Sequence, residues 1–264
     1  MKKLLLIGLI LLSAASLPAS DFPYQLDWKK DAIIGGGAAV LYGTHLAIYF
    51  TQDRDSAKDH GLDRFHKSDI NFVDRAMMFS YSRSLDLTGD ILLAATMAAP
   101  FALAIHQSKD TIITEAVMYA ETLLLAHSFK ELTKDAVVRW RPYCYYDGTR
   151  SSLLKDDDSS RSFMSGHATM AFASASFLST VYAHMNPEGK KKYLVAGGSF
   201  TAAVAVAALR IFSGNHFFTD VLVGAAWGTF AGWLVPQLHY CQDGHPVKLS
   251  FFSDTGAPGI LFNL

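Results

Sequence analysis

RIFSGNHFFTD, residues Arg210 to Asp220, is a short polar joint between two long apolar runs, Tyr193–Leu209 and Phe217–Gln237. Gly214-Asn215 is turn chemistry and breaks the chain there. The runs on either side are rich in Ala and Gly and poor in β-branched alternation, so each reads as a helix. Four more runs of the same kind precede them: Ala32–Phe50, Gly89–Ile105, Thr111–Phe129 and Met164–Ala183. Each is long enough for a helix, and several approach the length of a membrane span. The expected fold is an all-α bundle of about six helices. The tail from Leu238 fits a short β-hairpin, Val247–Phe252 against Ile260–Leu264 around a Gly/Pro turn.

The chain has 264 residues, 50% of them hydrophobic and 18% charged. That balance excludes a disordered protein, and the length can bury a sizeable core without staples. A formal net charge of −1 removes any global electrostatic case for nucleic acid as a partner. The mean hydropathy of +0.18 is high for a soluble enzyme and low for a chain made almost wholly of membrane spans.

Residues 1–20 read as a secretory signal peptide, with Lys2-Lys3, an apolar Leu4–Leu12 and small residues after it. The apolar core is short for a span. No cysteine lies near the cleavage region, so a lipid anchor is not expected there. Export to the cell envelope follows. Residues 21–88 then hold the first helix and a polar connection, 89–237 a helical core and 238–264 a tail. The two cysteines, Cys144 and Cys241, fall near opposite poles of such a bundle, so no disulfide between them is expected. Asp90, Glu115 and Glu121 interrupt apolar runs. In lipid they should face the bundle interior or do work, and in a soluble bundle they could face water.

Three polar clusters carry the chemistry. In KDAVVRWRP, Lys134 and Arg141 are seven apart and share a helix face, and Pro142 ends the helix. The pair suits an anion, although a solvated basic helix end has the same pattern. Arg139 points elsewhere and reads as structural. Ser165-Gly166-His167 opens the next helix, whose free N–H groups favour an anion. Gly166 lets the backbone come close to a ligand, and His167 could protonate a leaving group. A serine cap beside an incidental histidine would look alike. His216 and Asp220 are four apart at a helix start, so a carboxylate could fix the imidazole tautomer and free the other nitrogen to attack. A buried His–Asp pair that serves packing would also fit. Arg210 offers a planar fork of donors for phosphate. In an antiparallel bundle all seven side chains, Lys134 to Asp220, gather at one pole.

These segments resemble the signature of the type 2 phosphatidic acid phosphatase and vanadium haloperoxidase superfamily: K-x6-R-P, P-S-G-H and S-R-x5-H-x3-D. Met164 stands for the Pro of the second motif and Leu209 for the Ser of the third. The resemblance implies a phosphohistidine formed on His216, an orienting carboxylate in Asp220 and a proton donor in His167. It implies a phosphate cradle of Lys134, Arg141, Ser165, Gly166 and Arg210, and no metal or other cofactor. Such a cradle also makes physical sense, since preorganised cations and N–H groups stabilise developing charge on phosphoryl oxygens. A metal reading of His167, His216 and Asp220 is possible on ligand type, but three cations at the same pole would repel a divalent ion.

The implied partners are lipid phosphates (phosphatidic acid, phosphatidylglycerol phosphate, polyprenyl diphosphate or lipid A) and a membrane. A soluble periplasmic acid phosphatase, a vanadate-dependent haloperoxidase and a non-enzymatic helical transporter or scaffold are the competing classes. Lys29-Lys30 and Lys190–Lys192 read as cytoplasmic, which puts the polar pole on the periplasmic side. A cleaved leader followed by six spans would put it in the cytoplasm. The charges inside the apolar runs favour a bundle that is not fully integral.

Overall fold

The computed structural model describes residues 22–51, 65–105, 107–149, 151–242, 245–246, 248–252 and 258–263. The leader expected over residues 1–20 lies outside them. Six long helices carry the fold: α1 (Trp28–Thr51), α3 (Arg83–Ala98), α4 (Lys109–Ala136), α6 (Gly166–Met185), α7 (Lys191–Phe212) and α8 (Phe218–His239). Short helices α2 (Phe72–Ala76) and α5 (Ser151–Leu154) lie in the connections. Each of the six runs expected from sequence is helical over most of its length, although α6 starts only at Gly166, α8 only at Phe218, and the run after Gly89 passes into a 3-10 turn over Ala99–Ala104. The caps explain several of those ends. Ser108 accepts from the Thr111 N–H at 3.3 Å at the start of α4, and Ser165 caps α6. The turn after α7 uses Gly214 at φ +74°, and a side chain there would meet the Phe79 carbonyl.

α6 is the central helix and packs against α8, α7, α4 and α3, while α1 lies on α4. Its sequence of small residues permits this. Ala168, Ala171, Ala173 and Ser174 are fully buried. A matching row on α8 meets it. A Cβ at Gly224, Gly228 or Gly232 would lie 2.6, 2.2 and 2.2 Å from the carbonyl oxygens of Ser165, Thr169 and Ala173. The two backbones therefore touch, as small-residue stripes allow in close-packed membrane helices. Bulk enters beside this seam, where Met118, Tyr119, Phe177, Leu178, Val181 and Val235 form the main apolar cluster.

Among the described residues, four helical stretches are long and apolar enough to cross a membrane: Trp28–Thr51, Arg83–Ala104, Lys191–Phe212 and Phe218–His239. Large apolar side chains point outward from them, among them Ile33, Val40, Leu87, Ile91, Leu194, Val204 and Leu222. Glu115 and Glu121 are buried inside the bundle, and Asp90 faces a polar cavity. The two glutamates therefore do not count against a membrane setting, and the exposed Asp90 lies in the cavity wall at the polar pole. Beyond α8 lie two-residue strands β1 (Cys241–Gln242) and β2 (His245–Pro246) and the antiparallel pair β3 (Lys248–Phe252) and β4 (Pro258–Asn263). No sheet enters the helical core. Both cysteines are buried and free.

Candidate active site

A cavity of about 490 Å³ opens at one pole. The C-terminal ends of α4 and α7, the N-terminal ends of α3 and α6, and the joint before α8 surround it. Lys134, Arg141, Gly166, His167, Arg210 and His216 all line it. Ser165 and Asp220 stand behind the wall. The Ser165 side chain is wholly buried and accepts from the Ala168 N–H at 3.4 Å. Its own N–H donates to the Asp220 carbonyl at 3.1 Å. The α6–α8 seam thus sets the distance between the Ser-Gly-His turn and the His–Asp pair.

His216 is fixed at both nitrogens. Its Nδ1 lies 2.8 Å from the Ser162 carbonyl, and a carbonyl can only accept, so Nδ1 carries the proton. Nε2 then presents a lone pair, 3.2 Å from Arg141 Nη1. Burial and the neighbouring Arg141 charge push the His216 pKa down to about 3. The imidazole is therefore neutral at pH 7. Asp220 Oδ2 lies 3.8 Å from Nδ1, one shell further back. It accepts from Ser162 Oγ at 2.6 Å and from the Phe217 N–H at 2.9 Å. Asp220 orders the segment whose carbonyl holds the histidine.

Arg139 turns away from the cavity, as expected, and has a definite task. Its guanidinium bridges Asp220 and Asp74, two carboxylates with no solvent exposure. Asp74 in turn accepts from the Thr219 N–H at 2.9 Å and the Thr219 hydroxyl at 2.7 Å. A chain of ionic hydrogen bonds thus anchors the start of α8.

Sequence reasoning missed Asp86 and Asp158 and marked Asp90 only as a charge inside an apolar run, without a partner. His167 Nε2 lies 2.7 Å from Asp90 Oδ1. Arg210 Nη1 lies 2.8 Å from Asp86 Oδ1 and 3.5 Å from Asp90 Oδ1. Asp86 and Asp90 are one turn apart on α3, and that i, i+4 spacing in an apolar run was the available signal. Gly89 between them is a clearance: a Cβ there would sit 2.3 Å from Arg210 Nη2. Lys130 also lines the cavity, one turn before Lys134, and its stem lies over Gly166. Asp158 reaches in from the loop, paired with Arg141 and 3.7 Å from Lys134 Nζ. Burial works against its ionisation, but Arg141 and Lys134 hold its carboxyl below the ordinary range. Cys144 nearby stays a neutral thiol, since burial pushes it up to about 12.

The profile of the PAP2 superfamily matches residues 115–242. No curated protein sequence matches the chain. A crystal structure of a transmembrane PAP2-type phosphatidylglycerolphosphate phosphatase from Bacillus subtilis matches at 20% identity with a TM-score of 0.40, covering 88% of this chain and 92% of that one. The profile match contains the three motifs and the helix ends that bring them to one cavity, so that residues 115–242 are similar to the PAP2 superfamily.

Proposed function

We propose that the chain is a phosphatase that hydrolyses phosphate monoesters or diphosphates of membrane lipids through a phosphohistidine. The observation that carries this is the state of His216: neutral, proton on Nδ1, lone pair on Nε2 directed at a cluster of cations. Nε2 attacks phosphorus, and a P–N bond forms as the bond to the leaving oxygen breaks. His167 gives that oxygen its proton. Lys134, Arg141, Arg210 and the N–H groups at Gly166 hold the phosphoryl oxygens, where charge builds in the transition state. Water then attacks the phosphohistidine, His167 takes its proton, the P–N bond breaks and orthophosphate leaves. No step requires a metal.

Four spans' worth of apolar helix supports a lipid substrate. Leu93, Met170 and Leu153 line the cavity beside its cations and could receive the first carbons of a lipid. Lys29-Lys30 begins α1 and Lys190–Lys192 begins α7, both at the pole away from the cavity. The positive-inside rule then supports a cavity on the periplasmic side.

Phosphate release from phosphatidic acid, phosphatidylglycerol phosphate, a polyprenyl diphosphate, lipid A and p-nitrophenyl phosphate tests this. Wild type should prefer a lipid and be inhibited by vanadate, and His216→Ala should lose at least about 10³-fold in kcat. Equal turnover by the variant would sink the mechanism. A preference for the soluble ester would replace the lipid by a general acid-phosphatase reading.

A further inference from the structure

At the pole away from the cavity, three helices bring one side chain each to a common point: Asp31 from α1, Glu121 from α4 and His239 from α8. We propose that these residues bind one divalent first-row metal ion, with Zn²⁺ the best fit. Their ligand atoms lie within 4.8 Å of one another. His239 Nε2 is 2.8 Å from Asp31 Oδ1 and 3.5 Å from Glu121 Oε2. Ligands about 2.0–2.2 Å from a tetrahedral zinc stand roughly 3.3–3.5 Å apart, so small side-chain shifts would close the site.

Three further features point to a ligand. First, Glu121 is 8% exposed, and its Oε2 has no hydrogen-bond partner. A buried carboxylate oxygen facing an imidazole and a second carboxylate without a donor is costly unless a cation completes it. Second, His239 Nδ1 lies 2.9 Å from the Val235 carbonyl. That contact puts a proton on Nδ1 and makes Nε2 the nitrogen that can bind an ion, which would displace the proton Nε2 shares with Asp31 Oδ1 2.8 Å away. A histidine ligand is held in this way, by a second-shell carbonyl on its other nitrogen. Third, two carboxylates and a neutral imidazole balance a dication. One nitrogen and two oxygens suit zinc better than magnesium, which favours an all-oxygen octahedron.

The ion would staple α1, α4 and α8 together. Lys30 Nζ already donates to the Leu238 carbonyl at 2.7 Å, and the Gln25 N–H to the His239 carbonyl at 3.1 Å, so the chain is gathered there. Asp220 and His239 are nineteen residues apart on α8, or about 28 Å along the axis. The site is thus remote from the phosphate cavity and independent of the chemistry proposed for it.

The test uses the full chain, purified in detergent, stripped with a chelator and titrated with Zn²⁺ alone. Elemental analysis after gel filtration should give one zinc per chain, with a rise in unfolding temperature that saturates at one equivalent. Glu121→Gln and His239→Gln should weaken binding at least tenfold and abolish the rise. Asp31→Asn, at a partly exposed position, should weaken binding with little loss of folding. Wild type that takes up no zinc stoichiometrically, or Glu121→Gln that binds as wild type does, would overturn the proposal. Phosphatase activity reads the other pole and does not enter either outcome.

Discussion

Gly228→Ala tests whether the α6–α8 seam sets the catalytic geometry. The added Cβ would lie 2.2 Å from the Thr169 carbonyl oxygen and 3.0 Å from the Ala173 nitrogen. Carbon and carbonyl oxygen meet at roughly 3.3 Å, so the helices must part by about 1 Å. Backbone lies on the far side, and no flexible side chain can absorb the shift. Thr169 is two residues from His167, while α8 begins just after His216. The shift therefore opens the gap between His167 and His216, the proposed proton donor and nucleophile. Overpacking of this kind costs about 1–3 kcal/mol of stability, and a misplacement of about 1 Å lowers turnover about 10²-fold. Gly197→Ala on α7 is the matched control, because nothing lies within 4 Å of its Cβ. It should keep full activity and gain up to about 1 kcal/mol from helix propensity. Phosphate release and thermal unfolding of both variants decide the matter. If Gly228→Ala matches wild type in turnover and unfolding temperature, the seam does not position the site.

Arg139→Met leaves Asp74 and Asp220 buried without their shared cation and should cost about 3–5 kcal/mol. An unchanged unfolding temperature would show that the bridge contributes nothing. Asp158→Asn removes a carboxylate from the cradle, so vanadate should inhibit at about tenfold lower concentration. Weaker inhibition would mean that Asp158 is needed to hold Arg141 in place. The His216 pKa falls from 6.5 to about 3 on folding, so its contribution to stability is fully present above pH 6.5. That contribution is lost as the pH falls toward 3, at up to about 1.4 kcal/mol per unit. Stability measured from pH 7 to pH 4 should therefore decline faster in wild type than in His216→Asn, and parallel curves would contradict the assignment.

The helices were legible because apolar runs with little β-branched alternation leave few alternatives. The cationic residues of the cavity were legible because Lys134, Arg141 and Arg210 sit at helix ends, next to Pro142 and Gly214, which mark those ends. The acidic partners were not. Asp86 is a short side chain in the first turn of a helix, where acidic residues are expected for capping alone, and Asp90, one turn on, stands out only as a charge inside an apolar run. Only packing against α7 shows that they face Arg210. Asp74 lies far from α8 in sequence, and no local pattern announces that Arg139 would bridge it to Asp220. The Ser162 carbonyl is invisible for a further reason, since a main-chain acceptor leaves no mark on residue type. Spacing drew attention to Asp220 as the partner of His216, while the nearer acceptor belongs to the backbone that Asp220 holds.

On the proposed reading the cavity takes a phosphate dianion, and the charges around it are already balanced against one another. Each cation already has an acidic neighbour: Lys130 has Glu131, Lys134 and Arg141 share Asp158, and Arg210 has Asp86 and Asp90. Like charges buried together would otherwise repel. These carboxylates are not equally movable. Asp86 is held by the Tyr81 hydroxyl at 2.8 Å and Asn215 Nδ2 at 2.8 Å, and Asp90 is engaged with His167. Asp158 comes from a loop, and its carboxylate is held by the two cations alone, Arg141 and Lys134. A phosphate that enters can therefore displace Asp158 at the least cost and take over its contacts with Lys134 and Arg141. That place adjoins His216 Nε2, because Arg141 Nη1 is 3.2 Å from it. The fixed carboxylates then keep Arg210 and His167 oriented while the movable one yields, so binding exchanges one anion for another and the cations need not reorganise.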